Sequence, residues 1–256
     1  MRAVKFGILT MSVVCVDAFS FIQLQKTQTS TCLLATTEGQ KVAGGFIETE
    51  LRGQAMKLHT RSQAPKEGQA PEKERAPYTP THADYLAFLV DSQHIYKALE
   101  DVVNDVDDLA VFRNTGLERV AGLEKDIDFM VKNFDIDRPE VGMPGSSYAD
   151  EIRRMGNKES IPEFMCHYYN FYFAHTAGGR MIGKQMSSLL LEKKTLEFYK
   201  WDGDVNEIKT KVKDNIEEMV SHWSREQKDE CVEATAAAFR GGGMVNSYLS
   251  GGKSPH

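Results

Sequence analysis

The sequence predicts an all-α protein built as a single domain. Apolar residues recur at helical spacing through most of the chain, and no alternating pattern is long enough to form a β-sheet. Clusters of proline and glycine separate these stretches. The 256 residues are enough for one sizeable hydrophobic core. We therefore expect a multihelical bundle.

The N-terminus carries the pattern of a signal peptide over residues 1–18. Arg2 and Lys5 come first, an apolar run follows at 6–16, and small residues end the segment. A membrane-spanning helix needs about 20 apolar residues. Because the 6–16 run is shorter and no later run approaches that length, no membrane span is expected.

The next segment has the composition of a transit peptide. Residues 20–37 are rich in Ser, Thr and Gln, and Phe19 lies at the junction with the signal peptide. This order resembles the bipartite presequence of proteins imported into complex plastids, with plain secretion as the alternative. The predicted organisation is a presequence at 1–40, one domain at 41–250 and a flexible tail at 251–256.

Composition argues against a nucleic-acid-binding protein and against a disulfide framework. The presequence holds three of the 31 basic and two of the 37 acidic residues, which leaves 28 and 35 and a net charge of −7. An acidic protein of this kind is a poor partner for nucleic acid. Outside the presequence only Cys166 and Cys231 remain. This cysteine content is typical of a reducing compartment such as the plastid stroma.

Helix-breaking prolines and glycines, together with N-terminal capping residues, divide the N-terminal half into helices and loops. A first amphipathic stretch ends at His59, just before a loop at 61–80 that contains four prolines. Thr81 and Asp84 have the spacing of a capping box and begin a long helix. A second loop is expected at 133–146, where prolines and glycines cluster.

The C-terminal half is predicted to be helical up to the tail. Pro162 is placed to open an apolar helix, where its missing N–H costs little. Residues 205–223 have the pattern of a charged amphipathic helix, and the spacing at 224–227 caps the last helix. The glycines at 241–243 are expected to interrupt that last helix.

Gly178 and Gly179 lie side by side inside an apolar helix. Each glycine costs about 1 kcal/mol relative to alanine in a helix interior. The pair therefore suggests that the backbone must come close to something large and flat. Close packing of two helices is the alternative, since Gly179 and Gly183 are four residues apart.

Four ordered segments together resemble the heme oxygenases of plant and algal plastids. They are FMCHYYNFYFAHTAGGRMIG at 164–183, MKLHT ending at Thr60, FRNTGLER at 112–119 and LEFYKWDG at 196–203. The resemblance covers roughly residues 44–240. It implies an all-α, single-domain fold in which heme lies between a proximal helix and a glycine-kinked distal helix.

The same resemblance implies roles around the heme iron. It makes His59 the axial iron ligand. From its spacing alone, His59 could instead be a surface residue or a helix cap. On the opposite side of the heme, the backbone at Gly178 and Gly179 would pass close over the macrocycle. Bound oxygen could then reach only one edge of the ring. His175 stands where animal relatives carry an aspartate, and would hold water that delivers protons to the activated oxygen.

Heme also carries two propionates, which need cations at the mouth of the pocket. The resemblance assigns this role to Arg52 and Lys211, with Tyr169 as a hydrogen-bond donor to a propionate or a core residue. Asn215 occupies a second position that is basic in the family. The alternative for Lys211 is that it is an ordinary solvent-exposed lysine on a charged helix, with no role in binding.

The implied activity is cleavage of heme b at the α-meso carbon to biliverdin IXα, carbon monoxide and ferrous iron. Dioxygen and reduced ferredoxin would be consumed, since no flavin or nicotinamide fingerprint is present. The resemblance also implies that the protein is a monomer and that its biliverdin is used by a downstream bilin reductase. The alternatives are a heme carrier of the same fold that does not turn over and a bundle that binds another small molecule. The lysines proposed to attract ferredoxin are Lys193, Lys194, Lys209, Lys211 and Lys213.

Overall fold

The computed structural model describes residues 44–63 and 78–251. Over these residues the chain forms helices joined by turns, with no β-strand, so the predicted all-α fold is confirmed. The presequence at 1–40 and most of the tail at 251–256 lie outside the described residues. The α-helices of the described part are α1 (Arg52–Gln63), α2 (His82–Asp105), α3 (Val120–Phe134), α4 (Met143–Arg154), α5 (Ile161–Ala174), α6 (Arg180–Leu190), α7 (Val205–Ser221), α8 (Arg225–Glu233) and α9 (Thr235–Ser250).

Shorter helical turns precede or join these helices. A π-helical turn at Ile47–Leu51 leads into α1, and a second one at His175–Gly179 joins α5 to α6. Turns of 3-10 helix lie at Asp107–Phe112, Lys158–Ser160 and Glu197–Tyr199. The last of these packs against α3 and contacts the π turn between α5 and α6.

Helix α2 lies at the centre of the fold. It packs against α3, α4 and α9, while α5 packs against α8 and α9. The core between them is rich in aromatic rings, and the Tyr96 ring of α2 lies 5.1 Å from the Tyr172 ring of α5. The largest buried rings are those of Tyr85, Tyr96, Phe112, Tyr148, Phe164 and Tyr168. No helix within the described residues has both the length and the apolar character needed to cross a membrane.

Several predicted helix starts are confirmed. Thr81 and Asp84 form a capping box at the start of α2, and Ser224 and Gln227 form another at the start of α8, which ends at Glu233 and is separate from the last helix, α9. Pro162 occupies the first turn of α5, where no intrahelical N–H bond is lost. These signals depend only on neighbouring residues, which is why they can be identified from the sequence.

The predicted loop at 133–146 ends earlier than expected, because α4 already begins at Met143. The backbone N–H groups of Gly142 and Gly145 donate to the buried Asp91 carboxylate at 2.7 and 2.8 Å. Asp91 belongs to α2, so a side chain distant in sequence caps this helix. No local pattern near the two glycines could predict that cap.

The start of the first helix is held by α7. The backbone N–H groups of Phe46 and Ile47 donate to the two carboxylate oxygens of Glu217 at 2.9 and 2.8 Å. A side chain at Gly45 would displace that carboxylate from its present position, so glycine leaves room for the Glu217 contact. Glu217 therefore fixes the position of α1 relative to α7 from its N-terminal turn onward.

The glycines at 241–243 do not interrupt the last helix, contrary to the sequence-based expectation. Helix α9 runs through them from Thr235 to Ser250. A Cβ at Gly241 would overlap the Tyr148 ring of α4, whereas nothing lies within 4 Å of a Cβ at Gly242. Gly241 therefore allows α9 to pack closely on α4, which is a tertiary reason for its presence.

Alanine at these two neighbouring glycines should have opposite effects on stability. Gly241→Ala is expected to lower the free energy of unfolding by about 1–3 kcal/mol, because the Tyr148 ring must move. Gly242→Ala should raise it by about 0.5–1 kcal/mol through helix propensity. Urea unfolding of both variants measures the difference, and equal effects would contradict the packing role of Gly241.

Candidate functional site

Helices α5 and α6 form one continuous path through the π-helical turn at His175–Gly179. The backbone N–H of His175 donates to carbonyls of the preceding turn, and Gly179 has ordinary helical angles, with φ −53° and ψ −39°. The predicted glycine kink is therefore a π turn rather than a break. Since the backbone conformation at Gly179 does not require glycine, the reason for this glycine must be steric.

The His175 imidazole is 7% exposed and is held by one residue in two ways. Its Nε2 donates to the Phe198 carbonyl at 2.8 Å, and its ring stacks on the Phe198 ring with centroids 4.0 Å apart and an angle of 19°. A proton on Nε2 leaves Nδ1 as an acceptor. Burial lowers the pKa of His175 to about 3, so the imidazole is neutral at physiological pH.

Gly179 makes room for this imidazole. A Cβ at Gly179 would lie 2.7 Å from His175 Nδ1, well inside contact distance. One turn later, a Cβ at Gly183 would lie 2.7 Å from the Tyr199 ring. Gly178, which precedes Gly179 in the π turn, is buried. Gly183 thus permits close packing, whereas Gly179 accommodates the His175 ring.

The indole of Trp201 adjoins His175 and carries an unused donor. Its ring centroid lies 5.3 Å from that of His175, and the Arg119 guanidinium lies 4.9 Å from the indole centroid. Among the described residues, the buried Trp201 Nε1 has no hydrogen-bond acceptor. A buried donor without a partner costs about 1–3 kcal/mol. A buried donor of this kind is usually satisfied by an ordered water molecule or a ligand.

A second cluster lies where the N-terminal helix, α5 and α7 meet. The Glu48 carboxylate pairs with Arg52 at 2.5 Å and with Lys213 at 2.8 Å. The Lys213 ammonium lies 5.9 Å from the centre of the Phe173 ring, on which the Tyr169 ring stacks at 4.6 Å. Burial raises the pKa of Tyr169, so its hydroxyl keeps its proton. Arg52 and Tyr169 therefore belong to one group of side chains.

Lys211 does not lie in this second cluster. Its side chain is exposed beside Glu207, about half a turn around α7 from Lys209 and Lys213. Lys209 is half-buried, and its pKa is lowered by burial and by the charges of Lys213 and Arg180. The spacing of four residues between Lys209 and Lys213 is visible in the sequence. Only the packing shows that their face of α7 is the one turned toward Glu48 and α5.

His59 lies in α1 two helical turns after Arg52, so the backbone places the two positions on one face of the helix. The helix continues to Gln63, and His59 is therefore inside α1 rather than at its end. The chain leading into α1 is held by Glu217 and by the ion pairs of Glu48. The position predicted for the iron ligand is thus on the helix that contributes Arg52 to the second cluster.

Two other histidines have partners within the fold. His82 stacks on Phe134 with centroids 3.9 Å apart, and its Nε2 donates to the Leu190 carbonyl at 2.8 Å. The Nδ1 atom of His167 is hydrogen-bonded to the Tyr148 hydroxyl at 2.8 Å. Both histidines are therefore explained by the packing of helices against one another.

The burial of His167 should make the protein sensitive to acid. Burial lowers the pKa of His167 to about 4, below the value of about 6.5 in an unfolded chain. Between these values the unfolded chain binds a proton that the folded chain does not, so stability falls by about 1.4 kcal/mol per unit as the pH drops from 6.5 towards 4. His167→Gln should remove this contribution, as measured by urea unfolding across that pH range. The exposed His222→Gln is the control, and an unchanged slope in His167→Gln would refute the prediction.

Curated proteins with related sequences are heme oxygenases. The chain is 45% identical over 209 residues to "Heme oxygenase 1, chloroplastic" of Oryza sativa subsp. japonica, covering 80% of this chain and 71% of that protein. It is 38% identical over 237 residues to "Heme oxygenase 1, chloroplastic" of Arabidopsis thaliana, covering 87% and 82%. A relative named "Probable inactive heme oxygenase 2, chloroplastic", also from Arabidopsis thaliana, is 36% identical over 170 residues, covering 66% and 56%. No family model matches the chain.

Solved structures with a similar fold are also heme oxygenases. Heme oxygenase-1 from the cyanobacterium Synechocystis sp. PCC6803, in complex with heme, matches with a TM-score of 0.63 at 16% identity, covering 81% of this chain and 93% of that chain. Heme oxygenase-2 from Synechocystis sp. PCC 6803, in complex with heme and NO, matches with a TM-score of 0.60 at 17% identity, covering 80% and 85%. These structures show the fold, and the sequence relatives show the family. The chain belongs to the heme oxygenase family.

Proposed function

We propose that this protein is a plastid heme oxygenase that cleaves heme b at the α-meso carbon. The products would be biliverdin IXα, carbon monoxide and ferrous iron, and dioxygen and reduced ferredoxin would be consumed. Family membership supports the reaction class, and the chloroplastic names of the relatives support a location in the plastid, for which we propose the stroma. The observation that carries the proposal is the neutral His175 held on a π turn against Gly179.

The two clusters suit two parts of a heme, the iron at its centre and the edge that carries the propionates. Tyr169 and His175 lie six residues apart on one helix, which is about 9 Å along its axis. At the His175 end, Trp201 offers a hydrogen-bond donor and Nδ1 of the imidazole offers an acceptor. At the Tyr169 end, Arg52 and Lys213 offer positive charge. Heme has the same polarity, with an iron that binds oxygen at its centre and two anionic propionates at one edge.

His175 would act by holding water rather than by giving up its own proton. Its Nε2 hydrogen is engaged by the Phe198 carbonyl, so Nδ1 is left to accept from a water molecule. Because burial lowers its pKa to about 3, His175 is neutral at pH 7. The pocket therefore offers water and no strong acid near the activated oxygen, which favours attack on the ring over early O–O cleavage.

Gly178 and Gly179 would bring the helix backbone close to the macrocycle. Without side chains at these positions, the backbone itself forms the wall above the ring, and oxygen can reach only the edge that the wall leaves open. The π turn also loosens the regular hydrogen bonding of the helix here, which would ease entry of heme and release of biliverdin.

At the other end, Arg52 and Lys213 would bind the propionates, with Lys209 and the Tyr169 hydroxyl as further donors. Glu48 pairs with both Arg52 and Lys213, so a propionate would exchange with this carboxylate or share its partners. The family resemblance assigns propionate binding to Lys211 as well. Because Lys211 is exposed on α7, its charge would act on heme affinity only from a distance.

Paired substitutions on α7 test this assignment of the propionate end. Lys213→Ala should weaken heme binding by about 10-fold, because it removes a charge-assisted hydrogen bond to a propionate. Lys211→Ala should change the affinity by less than about twofold, as expected for an exposed and screened charge. Titration with hemin, followed through the Soret band, gives both affinities. A larger loss in Lys211→Ala than in Lys213→Ala would return the propionate role to Lys211.

Electrons for the reaction would come from reduced ferredoxin, a small acidic protein. Lys193, Lys194 and Lys211 are exposed and offer local positive charge on an otherwise acidic surface. The biliverdin formed would then pass to a bilin reductase. We expect the protein to act as a monomer.

A single-turnover assay tests the proposed function. The chain without residues 1–40 is mixed with one equivalent of hemin and with an excess of reduced ferredoxin and dioxygen, and the Soret band is followed with time. We expect loss of the Soret band, the spectrum of biliverdin IXα and release of carbon monoxide, at a rate that falls with added salt. A rate that does not depend on ferredoxin would exclude it as the donor.

The relatives named as probably inactive make a heme carrier the specific alternative. A carrier would form a stable complex with a Soret band and would never open the ring, even with an excess of reduced ferredoxin. Absence of a Soret band on addition of hemin would instead indicate a bundle that binds another small molecule.

A further inference from the structure

Asp126 on α3 is 2% exposed and holds the 3-10 turn at Glu197–Tyr199. The backbone N–H of Glu197 donates to its Oδ1 at 2.9 Å, and the N–H of Phe198 donates to its Oδ2 at 2.7 Å. Helix α3 also packs against the turn at Gly122, where a Cβ would lie 3.4 Å from the Glu197 carbonyl, an ordinary contact distance. Asp126 therefore fixes the position of this turn against α3.

Phe198 connects this carboxylate to His175. Its N–H is bound by Asp126, and its carbonyl accepts from His175 Nε2 at 2.8 Å and from Arg119 Nη1 at 3.4 Å. Arg119 also donates to the Lys200 carbonyl, which holds the chain just after the turn. With its N–H and its carbonyl both engaged, Phe198 has little freedom to rotate, so the acceptor for His175 stays in one direction.

The charge on Asp126 requires an explanation beyond packing. A buried carboxylate is costly, and burial raises the pKa of Asp126 to about 6 even though two N–H groups donate to it. An apolar residue or an amide of similar size would avoid that cost. A carboxylate differs from both because its two oxygens accept from two neighbouring N–H groups at once, which fixes the orientation of the turn.

We propose that Asp126 is a positioning residue for His175, acting through the backbone of Phe198 to select the Nε2–H tautomer and leave Nδ1 as the acceptor. Asp126 touches neither the imidazole nor the space beside it. This inference rests on the proposed function, because the tautomer matters for catalysis only if His175 holds the water that serves the reaction.

The test compares Asp126→Asn with Asp128→Asn. Asparagine has the same size as aspartate but only one acceptor oxygen, so one of the two N–H groups loses its partner. Asp128 is the matched control, since it lies on the same helix and is exposed. The first readout is the side-chain 15N spectrum of His175 in the heme-free protein, which reports the tautomer directly. The second is the single-turnover rate with hemin.

We expect wild type and Asp128→Asn to show only the Nε2–H tautomer. Asp126→Asn should show a mixture of tautomers and a rate of ring opening lower by about 10-fold or more, with little change in heme affinity. A wild-type tautomer in Asp126→Asn would overturn the proposal, even if the rate fell. If Asp126→Asn does not fold, Asp126→Glu serves the same purpose, because it keeps the charge but displaces the carboxylate by one methylene.

The two readouts also separate this inference from the proposed function. The tautomer is measured without heme and does not depend on any reaction. If the proposed function is wrong, wild type will bind hemin without opening the ring, while the tautomer will still respond to Asp126→Asn.

Discussion

Gly179→Ala is expected to slow ring opening by about 100-fold while leaving the helical fold intact. The new methyl group would lie 2.7 Å from His175 Nδ1, so the imidazole must move. Moving it breaks the hydrogen bond to the Phe198 carbonyl and the stacking on the Phe198 ring. A displacement of about 1 Å is enough for an effect of this size when the displaced group orients a reactant.

Gly243→Ala is the matched control for this substitution. Gly243 also lies inside a helix, α9, and nothing is found within 4 Å of a Cβ there. Its replacement should leave the rate unchanged and stabilise the protein by about 0.5–1 kcal/mol. Single-turnover rates and thermal unfolding of the two variants measure both effects. A full rate in Gly179→Ala would show that the position of His175 does not matter for the reaction.

His59→Ala is expected to abolish ring opening. A neutral imidazole on one side of the iron leaves the other side open for oxygen, and alanine cannot supply that ligand. The variant should bind hemin more weakly, with a shifted Soret band, and should produce no biliverdin or carbon monoxide in a single turnover. Imidazole added to the solution should restore part of the ligand spectrum, because it supplies the same ring nitrogen to the iron.

The control for His59→Ala is His222→Ala, which removes an exposed histidine next to the end of α7. It should bind and cleave heme as wild type does. If His59→Ala retained the wild-type Soret band and rate, the axial ligand would have to be another histidine, and the role assigned to α1 would be wrong.

Several helix starts could be predicted because their signals are local. The capping box of Thr81 and Asp84 and the placement of Pro162 involve residues within one turn of each other. The start of α4 could not be predicted in this way. It depends on Asp91, a carboxylate more than 50 residues earlier in the chain.

The candidate site was predicted only in part, for the same reason. His175 and Gly179 could be singled out as a polar residue and a glycine in an apolar helix, but not the fact that the imidazole lies against the glycine. The helix pattern of α7 does not show whether Lys211 or Lys213 lies on the face that meets its neighbours. The pairing of Lys213 with Glu48 shows that this face carries Lys213, and the propionate role of Lys211 stays a prediction.

The sequence by itself determined the helical class, the family resemblance and the candidate residues, because these depend on composition and on spacing along the chain. Only the tertiary structure decided that Phe198 lies between Asp126 and His175, that Gly241 is a packing glycine and that Lys213 faces Arg52 across Glu48. Each of these depends on contacts between residues far apart in the chain, and such contacts leave no periodic pattern in the sequence.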